Sequence, residues 1–272
     1  MRLQASAAVL TGATGGMGRA MVDALCAAGT RVLAVGRQQD MLREIQRRHP
    51  GQVESVHADL RSAEDRAAVV AAARRLTGFN LLINAAGVNH FGLFESMNDA
   101  QIADLIDINL TSTLQLTRSL LPLLQKQQSC VVNVGSTFGS IGYTGFSAYC
   151  ASKFALRGFS EALRRELADT PVGVLYLAPR ATRTEMNSAR VEAMNRTLGV
   201  TMDSPEGVAA QLVRALDRDL REVHLGWPER LLVRVNGLVP RLLDSALRRQ
   251  LPTIRRFARP ENPVTVPSEQ QS

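Results

Sequence analysis

Tyr149 and Lys153 stand four residues apart in the stretch Ser147-Ala148-Tyr149-Cys150-Ala151-Ser152-Lys153. The pattern predicts a long helix over 147–169, and at that spacing a phenol and an ammonium share one helix face, about 5–6 Å apart at Cβ. Lysine is scarce: of the 32 basic residues, 30 are arginine and only Lys126 and Lys153 are lysine. A compact ammonium is therefore wanted here, not a planar fork. A phenol with a pKa near 10 becomes a useful proton donor when its acidity is brought toward the working pH. A cation about 4 Å away stabilises phenolate by about 4 kcal/mol at an effective dielectric of 20, equivalent to about a thousandfold in acidity. Loss of hydration opposes this, so the figure is an upper bound. The pair reads as an acid tuned by its neighbour; the plainer alternative is an ordinary helical pair.

Such a pair needs elements that bring a second reactant to it. Ala7-Ala8-Val9-Leu10 reads as a buried first strand running into Thr11-Gly12-Ala13-Thr14-Gly15-Gly16-Met17-Gly18. A helix follows, with Met21, Ala24, Leu25 and Ala28 on its apolar face and Gly29 as its stop. Strand, glycine turn and helix together let backbone approach a pyrophosphate, with free N–H groups and the positive dipole end at the helix start. The second strand, 31–35, ends at Gly36-Arg37. Where an NAD-binding chain places an acid for the ribose hydroxyls, Gly36 offers none, and Arg37 suits a 2′-phosphate. NADP(H) is expected over NAD(H); the alternative is a solvated arginine in a turn.

The remaining elements alternate. A helix over 39–48 turns Met41, Leu42 and Ile45 inward, and a strand over 53–58 leads to Asp59-Leu60. Ser62 caps a helix running to 76, and a strand over 81–83 ends in Asn84-Ala85-Ala86-Gly87. Helices over 99–107 and 110–126 meet at Asn109, a polar residue inside an apolar stretch. The strand over 131–134 delivers Gly135-Ser136 at its carboxyl end, where ligands of open α/β sheets bind. A sixth strand over 172–177 leads to Ala178-Pro179-Arg180-Ala181-Thr182-Arg183-Thr184. Residues 185–203 read as a helical lid or a plain surface excursion. Ser204 and Pro205 open a helix to 219, and 222–225 makes a last strand. The alternation predicts an α/β fold with a parallel sheet covered on both faces.

The chain's 272 residues, 45% of them hydrophobic, suit a globular protein with a sizeable core. Three cysteines without metal-like spacing point to a reducing compartment. Residues 1–10 are too short and weakly apolar for a signal peptide, and no run of about 18 apolar residues exists. Cytoplasmic location is expected. The net charge of +7 is concentrated in 227–259, which holds eight arginines against Glu229 and Asp244. Pro228 opens a helix with Leu231, Val235 and Leu238 on one face, and Pro240 opens another with Leu242, Leu243, Ala246, Leu247 and Leu251, Pro252 lying beyond. This extension is either a cap or subunit contact, or a basic amphipathic surface for anionic lipid at the inner membrane face. No nucleic-acid reader motif accompanies the arginines, and none is expected as partner. Residues 260–272 are expected to be a disordered tail.

These residues resemble the short-chain dehydrogenase/reductase family, of the single-domain type, over 1–226. The T-G-x3-G-x-G turn falls on Gly12, Gly16 and Gly18, with Thr14 and Met17 between. The adenine-contacting pair falls on Asp59-Leu60, and the tetrad on Asn109, Ser136, Tyr149 and Lys153. Thr184, after the turn of Pro179 and Thr182, matches the nicotinamide-contacting threonine. The resemblance implies a Rossmann-like doubly wound sheet of seven strands in order 3-2-1-4-5-6-7. It implies cofactor contacts also from Asn84, Ala85 and Gly87, and assembly as a homodimer or homotetramer. It gives Lys153 the nicotinamide ribose, Ser136 the substrate oxygen, and Asn109 a relay water. Three departures stand out. The usual N-N-A-G reads Asn84-Ala85-Ala86-Gly87, the usual Pro-Gly reads Pro179-Arg180, and the turn also fits T-G-x-x-G-x-x-G through Gly15.

The expected activity is hydride transfer between NADP(H) and a ketone or secondary alcohol, with an apolar substrate lined by Phe138, Ile141, Tyr143 and the lid, and with Arg180 at its mouth. A cofactor-sensing protein without turnover is the competing class.

Overall fold

The structure is a computed structural model describing residues 2–259; the tail at 260–272 lies outside them. Strand β1 (Ala7–Thr11) runs through the glycine turn into α1 (Gly16–Ala27), followed by β2 (Arg31–Gly36), α2 (Gln39–Arg48), β3 (Val53–His57), α3 (Ala63–Arg75) and β4 (Phe79–Asn84). Helices α4 (Asp99–Ile106) and α5 (Ser112–Leu124) precede β5 (Ser129–Val134), α6 (Ser147–Glu166) and β6 (Val172–Ala178). Then come α7 (Ala189–Thr197), α8 (Pro205–Asp217), β7 (Glu222–His224), α9 (Glu229–Leu238), α10 (Pro240–Arg248) and α11 (Leu251–Ala258). The seven strands pair in parallel in the order β3-β2-β1-β4-β5-β6-β7, as expected. The order reverses between β1 and β4, which opens a crevice beyond their carboxyl ends.

The burial of β1 explains its unbroken apolar run. Ala8 and Leu10 face one side, packing with Met21 and Leu25 of α1, Leu42 of α2 and Leu212 of α8. Ala7 and Val9 face the other, with Val69 of α3, Leu116 and Leu120 of α5 and Leu163 of α6. A strand covered on both faces has no solvent side on which to place polar residues. Ser62 caps α3 by accepting from the Asp65 amide, as its position foretold.

Two regions differ from expectation. Residues 99–124 form one helical run instead of two helices, with a π turn over Asp107–Thr111 in which the Ser112 amide reaches back to the Asp107 carbonyl. The wider turn accommodates the buried Asn109 without ending the helix. In the extension, Pro252 lies beyond the helix that Pro240 opens, but Leu251 belongs with it to a third helix, α11. Pro252 occupies the first turn of α11, where its missing N–H would have had no helical partner.

The segment 182–203 is an excursion tied at its base. Thr182 and Asp203 form an isolated parallel bridge, closed by Asp203 N–H to the Ala181 carbonyl and Arg183 N–H to the Asp203 carbonyl. Helix α7 lies within it, capped by the Ser188 side chain, and packs on α11.

Candidate active site

The glycine turn is shaped by close approach of backbone to backbone. A methyl on Gly18 would sit 2.0 Å from the Gly12 carbonyl oxygen, and one on Gly16 would sit 2.9 Å from Glu185 Oε2 and 3.0 Å from Thr184 Cγ2. Gly15 has nothing nearer than 3.6 Å. The glycines that the packing demands are therefore Gly12, at φ +70°, with Gly16 and Gly18, favouring the T-G-x3-G-x-G reading over the one through Gly15. The start of α1 carries N–H groups with no partner within the helix, the donors a pyrophosphate takes. Above this turn Arg19 donates to the Thr14 carbonyl and pairs with Glu185, which draws the strand-six loop across the helix start.

A cleft runs from this turn along the carboxyl ends of β2, β3 and β4. Thr14, Met17, Arg37, Asp59, Leu60, Ala85, Gly87 and Thr184 all line it. Arg61 grips the Asp59 carboxylate and holds it near pKa 2, with a smaller contribution from the charge of Arg37; burial pulls the other way. Arg61 also pairs with Asp104 at 2.6 Å. Among the described residues the Arg37 guanidinium has no hydrogen-bond or ion-pair partner. Asn84 departs from expectation. Its side chain is buried away from the cleft, donating to Thr117 Oγ1 at 3.0 Å and Asn133 Oδ1 at 2.8 Å, and Asn133 continues to Ser160. A polar ladder inside the core, not a cofactor contact, explains that residue. Pro179 and Thr182 also lie off this cleft and line the neighbouring cavity instead.

The four tetrad positions converge. A methyl on Gly87 would lie 3.1 Å from Asn109 Oδ1 and 3.6 Å from Lys153 Nζ, so cleft, Asn109 and Lys153 meet at one point. Asn109 accepts from the Val88 amide at 2.8 Å and donates to the Val88 carbonyl and to Ser152 Oγ, each at 3.0 Å. Lys153 is buried, donates to the Val134 carbonyl at 3.1 Å, and holds its Nζ 5.8 Å from the Tyr149 ring centre. Ser136 accepts from the Phe138 amide, and its hydroxyl faces the Tyr149 phenol closely enough to lower the phenol's pKa against burial.

The electrostatics correct the expectation of a phenol made more acidic by its lysine. Burial dominates both groups. It pushes Tyr149 up to about 12, the Ser136 hydroxyl pulling the other way, and brings Lys153 down to about 8. Lys153 donates to the Val134 carbonyl with its Nζ 5.8 Å from the ring centre, and lost hydration outweighs its field.

Sequence reasoning missed Tyr176, which supports the whole arrangement. It is almost fully buried, its hydroxyl donates to the Ser136 carbonyl at 3.3 Å, and the Ser136 amide donates back at 3.4 Å. A methyl on Gly135 would sit 2.2 Å from its ring. The only sequence signal was a tyrosine in an otherwise apolar strand, which reads as ordinary core.

Ser136 and Tyr149 open onto a second cavity that shares Met17, Thr184 and Met186 with the cleft. Phe138, Ile141 and Tyr143 line it as expected, together with Phe146, Val191 and Met194. Phe138 and Tyr143 stack at 4.8 Å between centroids. The extension contributes as well: Leu232 of α9, and Leu243 and Leu247 of α10, roof this space, the arrangement that the cap reading of 227–259 describes. Arg180 lines it too, but its charge is committed. It is held by Asp203 at 2.8 Å and Glu229 at 3.2 Å, so it fastens α9 to the strand-six loop. Tyr143 donates to Gln250 Oε1 at 2.7 Å and Asn236 to the Ser140 carbonyl at 2.9 Å, completing the attachment.

Comparison with known proteins agrees with this geometry. The family model described as short chain dehydrogenase matches residues 6–195. Nodulation protein G of Rhizobium sp. (strain N33) is 31% identical over 213 residues, covering 74% of this chain and 87% of that protein. Rat retinol dehydrogenase 16 is 32% identical over 209 residues, covering 74% of this chain but 62% of its own length. A crystal structure of a short-chain dehydrogenase from Streptomyces avermitilis superposes with TM-score 0.78 at 28% identity, covering 90% of this chain and 97% of that one.

Proposed function

The chain belongs to the short-chain dehydrogenase family, an oxidoreductase family that uses nicotinamide cofactors, and from that premise we propose that it interconverts an apolar ketone and its secondary alcohol with NADP(H). The observation that carries this reading is the placing of the Tyr149 and Ser136 hydroxyls on the wall of an apolar cavity continuous with the glycine-turn cleft. The bound nicotinamide supplies or takes up the hydride. The cradle at Gly12, Gly16 and Gly18, the N–H groups of the α1 start and the Arg37 guanidinium, unpaired among the described residues, fit such a cofactor, and Arg37 favours the form with a 2′-phosphate.

In reduction Tyr149 gives its proton to the carbonyl oxygen. Burial keeps the phenol protonated through the neutral range, so the acid is present before substrate arrives. Ser136 shares the substrate oxygen and steadies the phenol. Lys153, with a pKa near 8, carries its charge at neutral pH and offsets the negative charge that develops on the Tyr149 oxygen. Asn109 holds the 88 backbone against the π turn and is assigned the path by which the phenol regains its proton.

The pairing of Arg180 with Asp203 and Glu229 supports an uncharged substrate, because among the described residues no free cation is left in the cavity wall to recognise a carboxylate. A relative that is named for retinol, an apolar alcohol, is consistent with this class. Assembly as a homodimer or homotetramer in the cytoplasm is part of the same proposal.

The test is oxidation of NADPH, beside NADH, against ketones graded in apolar length. Turnover should rise with length and prefer NADPH, and Arg37→Ala should raise the KM for NADPH by about 10–100-fold while leaving NADH unchanged, the loss of one charge-assisted contact. No turnover with any ketone would favour the cofactor-sensing alternative.

A further inference from the structure

The extension has two unlike faces. On α9 the side chains turned inward are Leu232, Val233 and Asn236; on α10 they are Leu243 and Leu247. The apolar stripe most visible in the sequence, Leu231 and Leu238 at i and i+7, points the other way. Leu231 is 46% exposed and Leu238 83%, and the patch continues through Val239 at 47% and Leu242 at 64%, with Trp227 at 71% at the far end of α9. These are five of the nine large apolar side chains that stand exposed among the described residues, gathered within sixteen positions.

Cations flank the stripe. Arg230, Arg234, Arg241 and Arg248 are exposed, and none has an ion-pair partner among the described residues, whereas Glu229, one of the two acids in 227–259, is taken up by Arg180. Arg234, three residues after Leu231 and four before Leu238, flanks both on the same side of α9, and Arg241 precedes Leu242 on the outward side of α10. Leucines in the middle, a tryptophan at the end and arginines able to extend their heads past them form the pattern that settles into a lipid headgroup layer. No described helix is long and apolar enough to cross a membrane.

We propose that the outer face of α9 and α10 docks the protein on an anionic lipid bilayer, with the helices lying in the plane of the surface. Charge complementarity selects this occupant. A second copy of the same face would bring unpaired arginines against one another. Nucleic acid would satisfy the arginines and leave the leucines in water. Because the inner faces of the same two helices roof the substrate cavity, docking sets that cavity's roof against the phase in which apolar ketones concentrate.

The test is co-sedimentation of the full chain with phosphatidylglycerol vesicles and with phosphatidylcholine vesicles, at low and high salt. Vesicle binding needs no substrate, so its failure is separate from failure of the proposed reaction. Strong binding to phosphatidylglycerol alone, weakened by salt, is expected. Arg230→Gln, Arg234→Gln and Arg241→Gln together should lower partitioning by about 100-fold, from about 1 kcal/mol per cation at the surface. Leu238→Glu with Leu242→Glu should abolish it while melting temperature, elution volume and turnover of a small soluble ketone stay unchanged, since both side chains lie outside the cavity and the core. Binding to neither vesicle, or equally to both, overturns the proposal. So does a leucine variant that keeps vesicle binding but elutes at lower mass, which would make the face a contact between copies of the chain.

Discussion

The cofactor cleft and the substrate cavity lie side by side, share three residues, and are built in different ways. The cleft is a backbone construction from consecutive strand ends, each turn within a few residues of the strand that presents it. The cavity is a side-chain construction from five remote segments, the Ser136 loop, α6, the strand-six loop, α7 and the extension, fastened by single contacts such as Tyr143 to Gln250. A backbone cradle tolerates almost no change at its glycines, because the atoms it must avoid cannot move. A wall of side chains yields locally, so changes there should retune affinity more than they destroy it.

The sharpest way to break this contrast is Gly18→Ala. The added methyl would meet the Gly12 carbonyl at 2.0 Å, and backbone must shift to receive it. Cofactor affinity should fall by more than about 100-fold, the equivalent of about 3 kcal/mol, with a lower melting temperature; a fluorescence titration reads the first and a melting curve the second. Retained affinity would show the cradle to be more yielding than its geometry implies.

Arg180→Met probes the other half. It leaves Asp203 and Glu229 without their cation and releases α9 from the strand-six loop. Losing one partner of a mostly buried set costs about 3 kcal/mol. The expected result is a fall in melting temperature and a KM raised by about tenfold with kcat little changed. An equal drop in kcat would mean that the roof also positions the reacting groups.

The smallest effect is a pH signature at the point where the two halves meet. Burial brings Lys153 down from its ordinary 10.5 to about 8. Below pH 8 the ammonium is charged in folded and unfolded chains alike, and the folded one bears the cost of burying it. Between pH 8 and 10.5 the folded chain loses its proton first, so stability rises with pH, by about 3 kcal/mol in all. Tyr149 works oppositely. Raised from 10 to about 12, it contributes fully below pH 10, and that contribution is lost as pH rises through 12. Subtracting the melting profile of Lys153→Met from that of the parent chain should leave the rise between pH 8 and 10.5; a flat difference would place the ammonium in better-solvated surroundings.

The contrast also explains what the sequence could and could not tell. Strand order and the glycine turn were legible because Gly12 and Gly18 answer to fixed backbone distances and Gly16 to the closely packed Thr184 and Glu185, and β1 is apolar throughout because both its faces are covered. Tyr176 was not legible, since its role depends on Gly135 of the adjacent strand making room for its ring. Asn84 was assigned outward because its turn resembles a cofactor loop, but Asn133 on the neighbouring strand offered it a core partner. In α9 the stripe of Leu231, Val235 and Leu238 has good periodicity, yet Leu231 and Leu238 stand exposed and Val235 only half-buried, since periodicity identifies a face without saying which way it turns. The direction of the Tyr149 shift depended on a distance and a degree of burial that spacing alone does not fix.

The most direct test of the central claim is Tyr149→Phe, measured for NADPH binding and for single-turnover ketone reduction in the same preparation. The change removes one hydroxyl from the cavity wall and touches none of the cleft-lining residues. Binding should be unchanged and the reduction rate should fall by about 10²–10⁴-fold, the usual contribution of a positioned acid. A rate within a few-fold of the parent chain would contradict the assignment of Tyr149 as the proton donor.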